Sequence, residues 1–223
     1  MRDLRVIPAD ELGDSPEAWP IVERVSLGKG AIAEFVGDTI LTPDGQPIKR
    51  QYLLHHGATA TLAIDEQDRV VIVRQYRHPV GFVMTEIPAG LLDLAGESWL
   101  SGAQRELAEE AGLAASEWRV LVDYMATPGS CEESCRVFLA RGLTSVPRPE
   151  GFELEGEEAH MEVALVAFDD MVEAAFAGRL SSPTLLMGVL ALDAARRGGR
   201  LDDLRTPDAP WPARAQRATE RRP

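Results

Sequence analysis

Three glutamates near the middle of the chain have a spacing that could hold a cation. Glu106 precedes Glu109 by three residues and Glu110 by four, so on a helix their carboxylates would lie along one side. The sequence predicts that helix, because apolar residues recur at helical spacing over 99–111 and Gly112 follows as a stop signal. Carboxylates so close repel one another, and a shared Mg²⁺ or Mn²⁺ ion, which prefers oxygen ligands, would remove that cost.

The surrounding residues decide between a cation site and an ordinary charged surface. A pair of glutamates is more often a solvated helix face, here supported by an Arg105–Glu109 pair. The wider pattern, however, places Glu97 eight residues before Arg105, and the chain continues from Arg105 as RELAEEAGL. This resembles the Nudix box, G-x5-E-x7-R-E-U-x-E-E-x-G-U, in which U is a bulky aliphatic residue. One departure is that six residues, instead of five, separate Gly90 from Glu97, in a loop where insertions are tolerated.

Composition argues against several other classes of protein. The 223 residues carry a formal net charge of −13, which disfavours nucleic-acid binding because that needs a basic surface. The N-terminus lacks the apolar core of a signal peptide, and the longest apolar run, 185–192, is too short to span a membrane. We interpret Cys131 and Cys135 as free thiols in a reducing cytoplasm.

Turn signals divide the chain into a β-rich N-terminal region with a loose arm (1–57), a central domain (58–200) and a Pro/Arg-rich tail (201–223), predicted to be solvated or to pack in a dimer. Strands are predicted over 21–27, 31–41, 48–54, 58–64, 70–76, 118–124, 135–140 and 162–168, and further helices over 169–177 and 182–197. We expect 58–64 and 70–76 to pair as a hairpin of buried strands. The order of elements predicts an α+β fold with a mixed sheet between helices.

Three shorter motifs support a narrower resemblance. VRQYR at 73–77, EIPAG at 86–90 and TPG at 127–129 surround the box as they do in bacterial ADP-ribose pyrophosphatases. The Nudix resemblance covers about 58–198 and implies the α/β/α sandwich of that family. In the ADP-ribose pyrophosphatases a small N-terminal antiparallel sheet is exchanged between two subunits. The resemblance therefore implies a homodimer in which each active site uses both chains.

The resemblance also implies a metal-binding set. Glu106 and Glu110 would bind Mg²⁺, or Mn²⁺, directly, and the backbone carbonyl of Ala89 would add an oxygen ligand. Glu109 would assist and is a candidate catalytic carboxylate. The remaining box residues, Gly90, Glu97, Arg105 and Gly112, are given structural roles, with Glu97 and Arg105 as a pair that aims the loop onto the helix.

Substrate contacts are assigned in the same way. Arg77 would hold a phosphate, and Arg50 of the partner subunit would contact the adenosine side. Glu86 is a candidate for hydrogen bonds to the polar edge of the substrate, and Glu133 aligns with another acidic position of the subfamily. The residues before Glu133 depart from the aromatic-Ser-Asp-Glu pattern of that subfamily.

A general base must deprotonate the attacking water. In the subfamily it comes from a late loop that lies just before a strand. Matching back from the strand predicted at 162–168 favours Glu157, with Glu158 as the second candidate, in a segment dense in glutamates.

The sequence therefore predicts metal-dependent hydrolysis of the diphosphate bond of ADP-ribose to AMP and ribose 5-phosphate. One alternative keeps the fold and changes the substrate to a sugar nucleotide, a dinucleotide or an oxidised nucleotide, because fold and box do not decide substrate. Another alternative is a sensor that binds ADP-ribose without cleaving it. The complete carboxylate set argues against the sensor, since a binding protein need not keep it.

Overall fold

The computed structural model describes residues 4–151, 156 and 158–211, and for Glu158 the backbone alone. The strands in chain order are β1 (Ile21–Lys29), β2 (Ala33–Leu41), β3 (Pro47–His55), β4 (Ala58–Ala63), β5 (Arg69–Arg77), β6 (Phe82–Glu86), β7 (Ala89–Leu91), β8 (Leu113–Met125), β9 (Ser134–Ser145) and β10 (Glu162–Ala167). The helices are α1 (Trp99–Ala111), α2 (Phe168–Phe176) and α3 (Pro183–Arg197). Short 3₁₀ turns cover Glu158–His160 and Leu201–Asp203. The short strands β6 and β7 are not predicted from the sequence pattern.

These strands form separate sheets. β1, β2 and β3 make an antiparallel N-terminal sheet, which confirms the predicted small β region before the main domain. A second antiparallel sheet has the order β10-β5-β6. The third has the order β7-β4-β9-β8 and is mixed, because β4 and β9 run parallel while the other pairs are antiparallel.

The predicted hairpin of 58–64 and 70–76 is wrong. β4 and β5 lie in different sheets, and an isolated bridge between Ile64 and Val70 joins them at the turn. β4 is buried on both faces along almost its whole length, and β5 is buried on both faces over its apolar run Val70–Val73. Each therefore serves as an inner strand of its own sheet, with a neighbour on either side, instead of forming an edge of a shared hairpin.

The apolar core lies in two layers, one on each side of these sheets. α2 and α3 cover one side, where Leu185 and Leu192 are fully buried. α1 covers the other side, where Ala103 and Leu107 pack in one cluster with Phe138 of β9. Burying a side chain such as Leu107 contributes about 1.5–3 kcal/mol. The helices thus enclose the sheets, and the predicted α+β fold with a mixed sheet between helices is confirmed.

Helix α1 begins and ends where its sequence predicts. The Ser98 side chain accepts a hydrogen bond from the Ser101 amide, and the Ser101 side chain accepts one from the Ser98 amide, which completes a capping box. Gly112 ends the helix in the left-handed conformation, with φ 64° and ψ 35°. Among the described residues, the helices are too short or too polar for any of them to cross a lipid bilayer.

The first part of the predicted solvated tail is packed onto the domain. Arg205 forms a β-bridge with Val120 of β8, and the carbonyl of Ala209 accepts a hydrogen bond from Arg136 of β9. Residues 201–211 are thus held to the domain at these two points, while six of them stay exposed. The sequence did not predict these two contacts, because their partners lie about 70 residues or more earlier in the chain. Residues 212–223 lie outside the described part of the chain.

Candidate active site

The box glutamates lie along one side of α1, as their spacing predicts. The Glu110 side chain is buried, while the side chains of Glu106 and Glu109 are each 13% exposed. This partial burial strengthens electrostatic interactions relative to bulk water. It also leaves the carboxylates of Glu106 and Glu109 accessible from solvent.

Arg105 donates hydrogen bonds to three glutamates of the box, Glu97, Glu106 and Glu109. Its Nε and Nη2 donate to the two carboxylate oxygens of Glu97, at 2.9 and 3.2 Å. Its Nη1 donates to Glu106 Oε1 at 2.6 Å and to Glu109 Oε2 at 2.8 Å. The hydrogen bonds to Glu97, with the other carboxylates, raise the pKa of Arg105 above its ordinary value, so it is always a cation. Nη2 also donates to the carbonyl of Leu91, at 3.2 Å. The longer loop before Glu97 thus still delivers this residue to Arg105.

The backbone of β7 lies directly against the carboxylates. The amide of Ala89 donates to Glu110 Oε2 at 3.0 Å. A Cβ built on Gly90 would overlap the carboxylate of Glu106. A larger residue at position 90 would therefore displace the carboxylate of Glu106 from this place.

The chemistry of this donor set fits a hard divalent cation. Glu106 and Glu109 already converge on one positively charged nitrogen, Arg105 Nη1. Carboxylate oxygens with an adjacent backbone carbonyl, that of Ala89, are the ligands that Mg²⁺ and Mn²⁺ prefer. Within the described residues, no three carboxylate, histidine or cysteine side chains converge as a ready-made metal cage. Binding a metal would thus require these side chains to turn from Arg105 and the Ala89 amide.

Arg77 and Glu86 form a second polar group beside the first. They lie on the paired strands β5 and β6, and Arg77 Nη2 donates to Glu86 Oε2 at 2.8 Å. Gln75 Nε2 donates to the same oxygen at 3.0 Å. Glu86 is three residues before Ala89, so the short β6–β7 connection places this pair close to α1, which carries Glu106, Glu109 and Glu110 and which we name the carboxylate helix. A substrate that binds Arg77 would have to compete with Glu86.

Arg50 lies in a different place, on the N-terminal sheet. It lines a cleft of about 630 Å³ between that sheet and the loop after β8, a volume typical of small-molecule sites. The cleft is also lined by Trp19, Asp38, Tyr52, Pro128, Gly129 and Glu132. Backbone hydrogen bonds from Leu53 to Ser130 and from Glu132 to Leu53 hold the TPG loop against β3. Sequence reasoning did not identify Trp19 and Tyr52, whose contribution depends on how the sheet packs.

The remaining predicted residues have mixed outcomes. Glu133 lies 3.9 Å from Nδ1 of His55, a residue at the end of β3. Glu157 lies outside the described residues, and the backbone of Glu158 begins the 3₁₀ turn before β10. The assignment of the general base is therefore still a prediction.

Sequence reasoning missed Arg148. Its Nε donates to the carbonyl of Glu109 at 2.9 Å, and its Nη2 donates to the carbonyl of Glu110 at 3.2 Å. A cation at these carbonyls stabilises the C-terminal end of a helix. No local signal predicts this contact, because Arg148 is 38 and 39 residues from the two residues whose carbonyls it contacts.

Several known proteins are similar to this chain in sequence. A NUDIX domain family model matches residues 54–185. An ADP-ribose pyrophosphatase from Mycobacterium tuberculosis is 40% identical over 177 residues, which is 79% of this chain and 84% of that protein. An ADP-ribose pyrophosphatase from Bacillus subtilis is 31% identical over 152 residues, 68% of this chain and 80% of that protein. A methanol dehydrogenase activator from Bacillus methanolicus has the same identity and coverage.

A solved structure supports the same fold. The crystal structure of an ADP compounds hydrolase matches this chain with a TM-score of 0.65 and 18% sequence identity. The match covers 85% of this chain and 100% of that one.

Proposed function

We propose that this chain, which belongs to the Nudix family and is a Nudix hydrolase, cleaves the diphosphate bond of ADP-ribose to give AMP and ribose 5-phosphate. The observation that carries the proposal is the carboxylate helix: Glu106 and Glu109 converge on one cationic nitrogen beside the Ala89–Gly90 backbone. The substrate is supported by the 40% identity to an ADP-ribose pyrophosphatase over most of both chains.

The metal is proposed to be Mg²⁺, which Mn²⁺ could replace. Glu106, Glu110 and the carbonyl of Ala89 would hold it, with help from Glu109. The bound ion would neutralise the charge of the diphosphate and polarise the phosphorus that is attacked. Arg105 and Glu97 would keep the carboxylates on the β7 side, since their hydrogen bonds fix the start of α1 against the loop.

Side chains from both subunits would bind the two ends of the substrate. Arg77 would hold a phosphate, and Glu86 would accept hydrogen bonds from a polar edge of the substrate. Arg50 of the partner subunit would contact the adenosine side. Glu133 is proposed as a further contact, beside His55.

Glu157, or failing that Glu158, would remove the proton from the attacking water. The strand that follows supports this placement. Glu162 pairs with Arg74 in an antiparallel register, so the residues before Glu162 approach the end of β5 where Arg77 lies. The base would therefore enter beside the substrate phosphates.

We also propose a homodimer with exchanged N-terminal segments. The N-terminal sheet leaves several large apolar side chains at least 40% exposed, namely Ile21, Val22, Val25, Leu27, Phe35 and Leu53. An apolar surface of this kind is usually covered by a partner, and a second copy would bring its Arg50 to the other active site.

The two cysteines are free thiols, which supports a cytoplasmic location.

The test is turnover of the purified protein with Mg²⁺ on ADP-ribose, a sugar nucleotide, NADH, a diadenosine polyphosphate and an oxidised dGTP. We expect strong preference for ADP-ribose and no turnover in the presence of a chelator. Preference for another compound would keep the metal site and reject the roles given to Arg50, Arg77 and Glu86. Tight ADP-ribose binding with no cleavage of any compound would make the protein a sensor.

A further inference from the structure

Residues 205–211, which we name the C-terminal clasp, contact the edge strand β8 of the mixed sheet and its inner neighbour β9. The amide of Val120 in β8 donates to the carbonyl of Arg205 at 2.9 Å. Nη1 of Arg205 donates to Oδ2 of Asp123 at 2.7 Å, and Asp123 lies three residues after Val120 on the same strand. The clasp therefore begins with two contacts to β8.

Its other end is held by Arg136, a fully buried residue of β9. Nε and Nη2 of Arg136 donate to the two oxygens of Asp123, at 2.6 and 2.9 Å. Its Nη1 donates to the carbonyl of Ala209 at 2.8 Å. A buried guanidinium is tolerated when its donors are paired in this way. The clasp backbone supplies one of those partners.

The clasp ends on the first residue of the carboxylate helix. The rings of Trp211 and Trp99 have centroids 5.1 Å apart, at the distance of a favourable aromatic pair. The Cζ atom of Arg136 lies 5.6 Å from the Trp99 ring and 5.8 Å from the Trp211 ring. Both distances permit a cation–π interaction.

The sheet beneath α1 connects this contact to the metal-binding residues. Arg136 pairs in register with Thr59 of β4, and Thr59 pairs with Gly90 of β7. The Thr59 hydroxyl donates to the carbonyl of Trp99 at 3.2 Å, while Glu106 lies over Gly90. One row of the sheet thus supports the start of α1 at Arg136 and Thr59, and supports a box carboxylate at Gly90.

We infer that the C-terminal clasp fixes the start of α1, so that Trp211 and Arg136 are positioning residues for the carboxylates that bind the metal. The path runs from Trp211 to Trp99, then to Glu97, two residues before it, and from there to Arg105. Arg105 in turn holds Glu106 and Glu109. The inference concerns the metal site of the proposed function, but the contacts that carry it do not depend on the substrate.

The test compares Trp211→Ala and Trp211→Phe with the full-length protein. Arg200→Ala serves as the control, because Arg200 is in the tail, pairs with Asp203 on the surface and does not touch the clasp contacts described above. Two measurements are made at a temperature at which all variants are folded. They are hydrogen exchange of the backbone amides in the first turns of α1, and Mn²⁺ affinity by electron paramagnetic resonance. Mg²⁺ dependence of ADP-ribose turnover is the third measurement.

For Trp211→Ala we expect faster exchange at the start of α1 and roughly fivefold weaker Mn²⁺ binding, the change that follows from losing one aromatic pair. The Mg²⁺ concentration for half-maximal turnover should rise by a similar factor, since the clasp acts on the metal site. Trp211→Phe should have exchange rates and a Mn²⁺ affinity close to those of the native protein, because phenylalanine can still stack on Trp99. Arg200→Ala should match the native protein in all three measurements.

A stabilising strap with no positioning role would give a different result. Trp211→Ala would then unfold at lower temperature but would keep the native exchange rates at the start of α1 and the native Mn²⁺ affinity, and this outcome overturns the inference. If the native protein binds Mn²⁺ but does not cleave ADP-ribose, the proposed substrate fails while the exchange and Mn²⁺ comparisons still decide the clasp. If it binds no Mn²⁺, the proposed metal site and the positioning role are both rejected.

Discussion

Arg105 and Arg136 are two arginines that bind carboxylates near the start of the carboxylate helix. Arg105 lies on the helix and binds three glutamates, while Arg136 lies on β9, binds Asp123 and contacts the Trp99 ring. The Arg105 side chain is 24% exposed and contacts Glu97, which is 8% exposed, and Glu106 and Glu109, which are each 13% exposed. The Arg136 side chain is 2% exposed and is held by Asp123, which is 7% exposed, and by the clasp backbone. The two networks lie on either side of the start of α1, at Glu97 and at Trp99.

Because of this difference, we expect the hydrogen bonds of Arg105 to Glu106 and Glu109 to be replaceable by metal ligation, and those of Arg136 to persist. Carboxylates that solvent can reach can leave a guanidinium for a metal ion at modest cost, because water screens the separated charges. A buried carboxylate that loses its partner keeps an uncompensated charge in a medium of low polarity, which costs several kcal/mol. The Arg105 network is therefore suited to chemistry, and the Arg136 network to holding the fold.

The largest expected effect comes from changing the proposed metal ligands, of which Glu106 belongs to the Arg105 network and Glu110 lies beside it. Glu106→Gln or Glu110→Gln should lower Mg²⁺-dependent turnover about 10³-fold, because several kcal/mol of metal stabilisation in the transition state are lost. Turnover at saturating Mg²⁺ is the measurement. Denaturant unfolding should show intact folding for both variants. Rates near those of the native enzyme in both variants would reject the proposed metal ligands.

The next effect compares the two arginines directly. Arg136→Met should lower the free energy of unfolding by about 3 kcal/mol, since Asp123 stays buried and its remaining cationic partner, among the described residues, is the half-exposed Arg205. Arg105→Met should cost less, about 1–2 kcal/mol, because Glu106 and Glu109 keep access to water and only Glu97 loses the partner of a buried carboxylate. Urea unfolding of the two variants decides this. Equal losses would mean that burial does not distinguish the networks.

A chemical probe tests the burial of β9 beside Arg136. Burial raises the pKa of the Cys135 thiol to about 12, so at pH 8 only about one part in 10⁴ is thiolate, the reactive form. Cys131 is partly exposed in the loop at the Arg50 cleft. Alkylation of the native protein at pH 8 should label Cys131 alone, as mass spectrometry would show. Cys131→Ser should abolish this label, and rapid labelling of Cys135 would contradict the described packing.

The smallest expected effect concerns the ion pair between Arg196 and Asp68 at the surface. Arg196 donates to Asp68 at 2.8 Å, and this bond lowers the pKa of Asp68. Because the folded pKa lies below the unfolded value, the stabilisation is complete above the unfolded pKa and is lost as pH falls through the folded pKa.

Asp68 is half-exposed, so solvent screening limits this contribution to about 0.5–1 kcal/mol. Asp68→Asn suits the test because asparagine tolerates the positive φ of 58° at this position. Its thermal midpoint should lie below that of the native protein at pH 7, and the gap should close in acid. A gap that is constant with pH would exclude the ion pair as its cause.

Most of the carboxylate helix could be predicted from the sequence. Glu106, Glu109 and Glu110 share a side because their spacing matches the helical repeat, and Gly112 ends the helix because it accepts a left-handed conformation. These are local relations, so a short stretch of residues contains all the information that they need. The pairing of Glu97 with Arg105 also follows from a resemblance confined to that stretch.

The tertiary structure alone decided how distant segments meet. β4 and β5 are adjacent in the chain, yet each became an inner strand of a different sheet because the apolar runs of both are buried on two faces. The clasp combines residues from α1, β8, β9 and the tail, and Arg148 reaches α1 from beyond β9. Periodicity and spacing act over a few residues, whereas these contacts depend on the packing of whole elements. For that reason the sequence determined the chemistry of the box, and only the folded chain determined what holds it in place.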